Sequence, residues 1–261
     1  MFGHTHSSSS VIQSLRPDAW PADHRVALLQ AAAQTVVSAE VANVVAIPLD
    51  LTPGGVASLY PCLSMAERQR AVRIHRDADR RRYVVGRARL RQMLAERLEV
   101  KPTQVMLAYG KHGKPQLDGH QAKSGWQFNL SRCGETALAA FARHTPVGVD
   151  LEAVRLMDDA DNLAAGFFSS REVCAYQSLL AAERPLGFFY GWTRKEAFLK
   201  ALGEGLSRPL ADFDVALAPR EPACILRVGA TAGDRCGWRL YSIGPVVGLV
   251  AALVVAEPAT Y

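Results

Sequence analysis

Apolar side chains recur at helical spacing, about 100° per residue, in two long stretches of the chain. The first stretch predicts a helix over residues 79–98 whose apolar face would hold Tyr83, Leu90, Leu94 and Leu98. The second predicts a helix over residues 186–202 whose stripe would hold Phe188, Trp192, Lys195, Leu199 and Leu202. The run Gly203-Glu204-Gly205 would then end the second helix, since glycine is the usual residue after a helix C-terminus.

Short apolar segments between and after these helices predict strands. We expect them at residues 44–49, 105–109, 126–131, 137–142, 147–152, 238–243 and 246–255. Two more helices are expected, one starting at a capping box formed by Ser64 and Glu67 and one over residues 170–182. Because strands and helices appear twice in similar order on either side of residue 145, the pattern favours a duplicated α/β fold.

Composition narrows the class of protein. The chain has 261 residues and a net charge of +5. It has an odd number of cysteines and no Cys-x-x-Cys pair, so we expect neither a disulfide framework nor a zinc cluster. We therefore expect the protein to be located in the reducing cytoplasm. The longest apolar run, residues 246–256, is shorter than the ~20 residues that span a bilayer. No signal peptide is apparent. Residues 1–24 read as disordered, and residues 25–42 as a helix or an extension packed on the body.

Two groups of charged residues have spacing that favours metal and phosphate chemistry. Asp150 and Glu152 would point to the same side of one strand, and two adjacent carboxylates suit Mg²⁺ bound together with a pyrophosphate. Glu196 and Lys200 lie one helical turn apart, as a third carboxylate and a cation would. Solvated acids at a strand end and an ordinary surface ion pair are the alternatives.

Two further segments could bind an anion. Lys111, Gly113, Lys114 and Pro115 lie on a glycine-containing turn that can approach phosphate oxygens, although the P-loop pattern is absent and an exposed hairpin turn is the alternative. The segment Asn129-Leu130-Ser131-Arg132 offers amide, hydroxyl and guanidinium donors, and its alternative is a turn bonded to nearby backbone.

Eleven arginines lie between Arg68 and Arg97. They fit a solvated helix face, and a nucleic-acid-binding module would also account for them, but no known nucleic-acid motif is present. Some of them, first Arg87, Arg89 and Arg91, are candidates for a surface that docks an acidic partner.

The order and spacing of these motifs resemble those of the Sfp-type 4′-phosphopantetheinyl transferases over residues 44–206. The most specific parts are Gly-Val-Asp-Leu-Glu at residues 148–152 and Trp-x-x-Lys-Glu-Ala-Phe-x-Lys at residues 192–200. Residues 167–172, Phe-Phe-Ser-Ser-Arg-Glu, lie between them, and Arg76-Asp77-Ala78, Gly86-Arg87, Gly113-Lys114-Pro115 and Phe128-Asn129-Leu130-Ser131 support the resemblance.

The resemblance implies a mixed α/β (α+β) fold of two similar halves related by pseudo-two-fold symmetry, with coenzyme A in the cleft between them. The expected organisation is an extension at residues 1–43, a coenzyme A-binding half at residues 44–145 and a magnesium-binding, catalytic half at residues 146–261. Mg²⁺ would be held by Asp150, Glu152 and Glu196. Lys200 would lie at the pyrophosphate, and coenzyme A would also contact Arg76, Lys111, Gly113, Lys114, Pro115, Asn129, Ser131 and Arg132.

One departure from the family pattern concerns Arg132, where many members have histidine. Arginine stays protonated and so cannot be a general base, but it can clamp a phosphate. The serine of the carrier protein would lose its proton either to Glu196, directly or through a metal-bound water, or to Glu172, and the sequence does not decide between the two.

The resemblance also implies the partners. We expect transfer of phosphopantetheine from coenzyme A to an acyl or peptidyl carrier protein of fatty-acid biosynthesis or secondary metabolism. We further expect a monomer that binds neither nucleic acid nor membrane. The alternative is a catalytically inactive member that binds coenzyme A or carrier protein.

Overall fold

The computed structural model describes residues 42–229, 237–246 and 248–257. The first half opens with a strand, continues through three helices and ends in four strands. In chain order these are β1 (Asn43–Pro48), α1 (Pro53–Leu59), α2 (Met65–Val72), α3 (Asp77–Leu98), β2 (Leu107–Tyr109), β3 (Pro115–Leu117), β4 (Trp126–Cys133) and β5 (Thr136–Arg143). Helix α2 begins at the predicted capping box, because the Ser64 and Glu67 side chains each bind the other's backbone N–H.

The second half has the same succession of a strand, helices and four strands. Its elements are β6 (Val147–Ala153), α4 (Ala160–Phe167), α5 (Ser170–Gln177), α6 (Arg184–Leu202), β7 (Asp214–Val215), β8 (Ile225–Arg227), β9 (Trp238–Val246) and β10 (Leu249–Ala256). Gly203, with φ of 78°, caps α6 as predicted, since glycine adopts the left-handed conformation without steric cost.

Each half contains a three-stranded antiparallel sheet with matching strand order. In the first half the order is β1-β5-β4, and in the second it is β6-β10-β9. In both, the first strand of the half pairs with the last, which pairs with the strand before it. A small two-stranded ladder, β2-β3 or β7-β8, lies between the long helix and the final hairpin of each half. The structure therefore confirms the mixed α/β fold of two similar halves.

Alternate residues along the strands of each sheet pack into different cores, one against a helix and one between the two sheets. Ala137, Ala139 and Phe141 of β5 pack with α3, whereas Leu138 and Ala140 face the opposite side. That opposite side forms a common core with β6 and with alternate residues of β10. The remaining residues of β10 pack on α6. The two long helices thus cover the outer faces, and the two sheets meet between them.

Several predicted bounds change in the structure. Helix α3 starts at Asp77, two residues earlier than expected, and α5 ends at Gln177 rather than near residue 182. Only Leu107–Tyr109 of the predicted strand at residues 105–109 pairs, because its partner β3 has three residues. Helices α1 and α4 were not predicted. The expectations for residues 1–41 lie outside the described residues. Within the described residues, no helix combines the length and apolarity needed to cross a membrane.

Candidate active site

Two adjoining cavities lie between the halves. The first, of about 270 Å³, is bordered by α2, α3 and β4, and the second, of about 480 Å³, by the β2–β3 turn, β4 and the end of α6. Pro115, Leu130 and Lys200 line both cavities. Lys200 therefore stands where the two cavities meet, with residues of both halves around it.

The Lys200 ammonium takes part in a buried polar network. Its Nζ lies 2.5 Å from Asp150 Oδ1 and donates to Ser131 Oγ at 3.1 Å. The Ser131 hydroxyl in turn donates to Asp150 Oδ1 at 2.8 Å. Asp150 and Ser131 are 1% and 3% exposed. The structure thus brings together three predicted site residues from β4, β6 and α6, and an ammonium beside a buried carboxylate offsets the cost of burying the charge.

The carboxylates of Asp150 and Glu152 both face β4. Asp150 accepts from Ser131, and two residues further along each strand Cys133 Sγ lies 3.9 Å from Glu152 Oε2. From the first contact to the second, the residue number increases by two in both strands, so β4 and β6 run parallel here. The predicted same-side arrangement of the two acids follows from this alternation. Both acids are buried, which excludes the alternative of two solvated acids at a strand end.

Asp150 has a vacant acceptor suited to a cation. Its Oδ2 is buried and has no hydrogen-bond partner within the described part of the chain. A carboxylate oxygen left unsatisfied in the interior is costly, and hard oxygen donors are what Mg²⁺ prefers. The donor chemistry therefore fits a metal ion at Asp150. The described residues contain no ready-made group of three or more His, Cys, Asp or Glu side chains arranged around one ion.

Gly148 and Asn129 hold β6 in place beside its neighbours. A side-chain carbon at Gly148 would overlap the backbone of α6 at Ala197 and Ala201, so the glycine permits direct contact between strand and helix. On the other side, Asn129 Oδ1 accepts a hydrogen bond from the Val149 N–H at 2.9 Å. Asn129 is 4% exposed and also lines the second cavity, so the Asn side chain bonds backbone 20 residues away instead of closing a local turn.

The two candidate bases have different environments. Glu196 lines the second cavity together with Lys200, one helical turn away. Glu172 is 2% exposed and lines neither cavity. Its carboxylate accepts from the N–H groups of Ser169 and Val215, at 2.9 Å and 2.8 Å, and lies 2.7 Å from Lys195 Nζ. Glu172 therefore anchors α5 to α6 and β7, which corrects its assignment as an alternative general base.

The predicted phosphate-binding turn joins β2 to β3. Gly113, with φ of 78°, Lys114 and Pro115 line the second cavity, and Lys111 is exposed at the tip. Lys114 points inward, where its Nζ donates to the carbonyl oxygens of Val147, Lys200 and Ala201. Burial lowers the pKa of Lys114 to about 8. The two lysines of this turn thus have different environments: Lys111 is in solvent, and Lys114 is partly buried, with its ammonium bonded to backbone carbonyls.

The first cavity is rich in arginine. Arg132 is exposed and lines it, whereas Arg76 lies at the N-cap of α3 and lines neither cavity. The lining also includes residues of α2 and α3 that sequence reasoning did not assign to the site: Arg70, Arg82, Tyr83, Gly86 and Arg87. Two features of the sequence could have identified these residues: the arginine cluster, and the predicted apolar face of α3, on which Tyr83 lies.

The sequence comparisons identify the family. Residues 53–143 match a family model described as 4′-phosphopantetheinyl transferase, N-terminal, and residues 146–245 match one described as 4′-phosphopantetheinyl transferase superfamily. The 4′-phosphopantetheinyl transferase HetI of Nostoc sp. is 39% identical over 210 residues, which are 80% of this chain and 85% of that protein. The chain belongs to the 4′-phosphopantetheinyl transferase family.

More distant members of the family also match. The 4′-phosphopantetheinyl transferase Sfp of Bacillus subtilis is 28% identical over 162 residues, covering 59% of this chain and 66% of Sfp. Among solved structures, a holo-(acyl-carrier-protein) synthase of Bacillus anthracis in complex with CoA is 21% identical, with a TM-score of 0.35. That match covers 44% of this chain and 96% of the synthase. The two family models and the sequence matches to HetI and Sfp confirm, at the level of the family, the resemblance to Sfp-type phosphopantetheinyl transferases.

The structure changes the docking surface expected for this phosphopantetheinyl transferase. Arg91 is 3% exposed, with its Nε 2.5 Å from Glu67 Oε2 and its Nη1 donating to the carbonyls of Pro102 and Val105. The prediction that Arg91 meets a partner protein is therefore wrong, because a buried guanidinium cannot do so. Arg87 lines the first cavity and donates to the Tyr109 hydroxyl. Of the three candidates, Arg89 is the exposed one.

Proposed function

We propose that this chain transfers the 4′-phosphopantetheine group of coenzyme A to a serine of an acyl or peptidyl carrier protein, releasing adenosine 3′,5′-bisphosphate. Family membership supports the reaction. The observation that carries the assignment of the site is Lys200, which lies 2.5 Å from Asp150 Oδ1 and lines both cavities between the halves. A cation there stands between an arginine-lined space and a space lined by Glu196.

The first cavity suits the phosphates of coenzyme A. Four arginine side chains line it: Arg70, Arg82, Arg87 and Arg132. Guanidinium groups bind phosphate through charge-assisted, often bidentate hydrogen bonds. Tyr83 adds a hydroxyl that is buried and has no hydrogen-bond partner among the described residues, so a ligand oxygen in the cavity can satisfy it. We assign this cavity to the bisphosphoadenosine portion of coenzyme A.

Mg²⁺ is the ion proposed for the carboxylates of the second half, and Asp150 is the residue whose oxygen, free among the described residues, supports it. Asp150 would hold the ion through Oδ2, and Glu152 and Glu196 are the further carboxylates of the proposed set. When bound, the ion would neutralise charge on the pyrophosphate oxygens, which supply additional ligands of the kind that Mg²⁺ takes from substrates. The buried network of Ser131, Asp150 and Lys200 fixes the position of this first carboxylate before substrate arrives.

Two side chains of α6 would stabilise the developing charge and accept the proton. Phosphoryl transfer depends mostly on positioning and on neutralising charge, and the Lys200 ammonium would stabilise the oxygen that leaves the β-phosphorus. The carrier serine attacks that phosphorus and must lose its proton. Glu196 is the proposed acceptor, directly or through a water molecule, because it lines the second cavity one helical turn from Lys200.

Mass spectrometry of an apo carrier protein incubated with the chain, coenzyme A and magnesium tests the function. A gain of one phosphopantetheine on the carrier serine supports the proposal, and the same mixture with Asp150→Asn should show none. Carriers of both fatty-acid and secondary-metabolism type belong in the panel. Binding of coenzyme A without any mass gain across the panel would instead identify a catalytically inactive member.

A further inference from the structure

The turn between β2 and β3 reaches from the first half into the second and places one ammonium at the end of α6. Lys114 Nζ donates to Lys200 O at 2.5 Å, to Ala201 O at 3.2 Å and to Val147 O at 3.2 Å. The acceptors lie 86, 87 and 33 residues away along the chain. This side chain therefore connects three segments that are far apart in the sequence.

All three donors of the Lys114 ammonium are used by these carbonyls. A lysine ammonium carries three N–H bonds and no acceptor, so three carbonyl partners leave none for a phosphate oxygen. The stem runs beside Gly203, where its Cδ would be in ordinary van der Waals contact, at 3.6 Å, with an added side-chain carbon. Binding a phosphate through Lys114 would require breaking one of these partly buried hydrogen bonds, which costs free energy.

The carbonyls that Lys114 binds belong to the two elements of the proposed catalytic site. Lys200 and Ala201 lie in the last turn of α6, where carbonyl groups lack partners within the helix and a cation is favourable. Val147 is the first residue of β6, which carries Asp150 three residues later. The same ammonium thus joins the start of the strand bearing Asp150 to the end of the helix bearing Lys200, whose side chains meet at 2.5 Å.

The tip of the same turn makes a second contact with the segment that follows α6. The His112 side chain lies against Gly205, where a side-chain carbon would be 2.9 Å from His112 Cβ. Gly205 has φ of 58°, and His112 Nε2 lies 3.5 Å from Ser207 Oγ. The turn therefore contacts both the last turn of α6 and the segment that follows it.

We propose that Lys114 is a positioning residue that holds Lys200 against Asp150, rather than a ligand of coenzyme A phosphate. The inference rests on the proposed transfer reaction for its kinetic consequence, but its structural basis is independent of that reaction. Loss of a phosphate ligand raises the KM and the dissociation constant of coenzyme A. Loss of a positioning residue lowers kcat while the affinity for coenzyme A changes little.

Kinetics of Lys114→Met separates the two roles. Methionine keeps most of the stem and removes the ammonium, and the exposed Lys123→Met on the same half is the matched control. We expect kcat for carrier loading to fall about tenfold or more in Lys114→Met and the calorimetric dissociation constant of coenzyme A to stay within about twofold of wild type. The reverse pattern, a tenfold weaker affinity with kcat unchanged, overturns the proposal and makes Lys114 a phosphate ligand.

Hydrogen exchange tests the same inference without any transfer reaction. In the ligand-free protein, amides of residues 198–205 should exchange faster in Lys114→Met, stay at the wild-type rate in Lys123→Met and recover in part in Lys114→Arg, which keeps the charge. Unchanged exchange at the end of α6 in Lys114→Met overturns the positioning role even if the enzyme loads carriers. Conversely, a wild-type chain that loads no carrier contradicts the proposed function but leaves the exchange result decisive.

Discussion

Gly148 of β6 and Ala197 of α6 are in backbone contact, because a side-chain carbon at Gly148 would overlap the Ala197 carbonyl oxygen and lie 2.9 Å from the carbonyl carbon of Lys200. Packing of the strand on the helix therefore requires glycine at the first position of the Gly-Val-Asp-Leu-Glu motif. It lets the strand that carries Asp150 lie directly on the helix that carries Lys200. The distance between these two side chains depends on this close approach.

Gly148→Ala should destabilise the fold and impair the site together. The added carbon would push β6 away from α6, at a cost of ~3 kcal/mol, the upper part of the range for overpacking. Urea unfolding measures the change in free energy. Gly166→Ala is the control, since nothing lies within 4 Å of a carbon added there and alanine favours the helix α4. Equal stability of the two variants would show that strand and helix separate without cost.

Asp150→Asn should abolish carrier loading while the fold persists. The amide keeps the shape and can still bond Ser131, but it removes the charge that faces Lys200 and would hold Mg²⁺. We expect kcat to fall at least ~100-fold, since an interaction with developing charge is lost. Calorimetric titration of magnesium in the presence of coenzyme A should lose its binding signal. Wild-type turnover in Asp150→Asn would refute the metal assignment.

Arg132→Ala should weaken the binding of coenzyme A. Loss of a charge-assisted contact should weaken the free energy of coenzyme A binding, derived from the calorimetric dissociation constant, by ~1.5–3 kcal/mol. Arg132→His should recover part of the affinity, because histidine can still donate to a phosphate. The control is Arg143→Ala, an exposed arginine at the end of β5 that borders neither cavity. Affinity unchanged by Arg132→Ala means that this side chain faces solvent.

Arg91→Met should lower stability rather than weaken a partner's binding. Removing the guanidinium leaves the Glu67 carboxylate, which is 4% exposed, without its cation, and breaking a buried ion pair costs ~3–5 kcal/mol. Arg89→Met, at an exposed position of the same helix, should change the free energy of unfolding by less than ~0.5 kcal/mol. Chemical denaturation of both variants makes the comparison. Equal stability would return Arg91 to the candidates for a docking surface.

The buried Lys114 amine should make stability depend on alkaline pH. Its pKa is about 8 in the folded protein, below the 10.5 of a solvated lysine, so between these values the unfolded chain binds a proton that the folded protein lacks. Unfolding then takes up a proton, and the contribution of Lys114 to the free energy of unfolding rises as pH increases through that window. The difference in that free energy between wild type and Lys114→Met should therefore grow from pH 7.5 to pH 10. A constant difference would mean that the pKa of Lys114 is not lowered by burial.

Local patterns in the sequence determined most of the elements and the residue types of the site. Periodicity placed α3 and α6 within two residues of their bounds, the capping box placed the start of α2, and alternation placed Asp150 and Glu152 on one side of β6. These features depend on neighbours within a few residues, which is the information that a single sequence carries directly. The family motifs added the likeness to phosphopantetheinyl transferases, since their order and spacing are properties of the chain itself.

Only the tertiary structure decided the partners of the long charged side chains. Lys114, Glu172 and Arg91 all looked available for a ligand or a partner protein, yet each binds buried groups brought by distant elements. Tyr83, expected on the apolar face of α3, instead borders the cavity with a hydroxyl left unsatisfied by the described residues. A flexible side chain binds whatever the fold places within its reach, and that depends on how sheets and helices pack rather than on sequence neighbours.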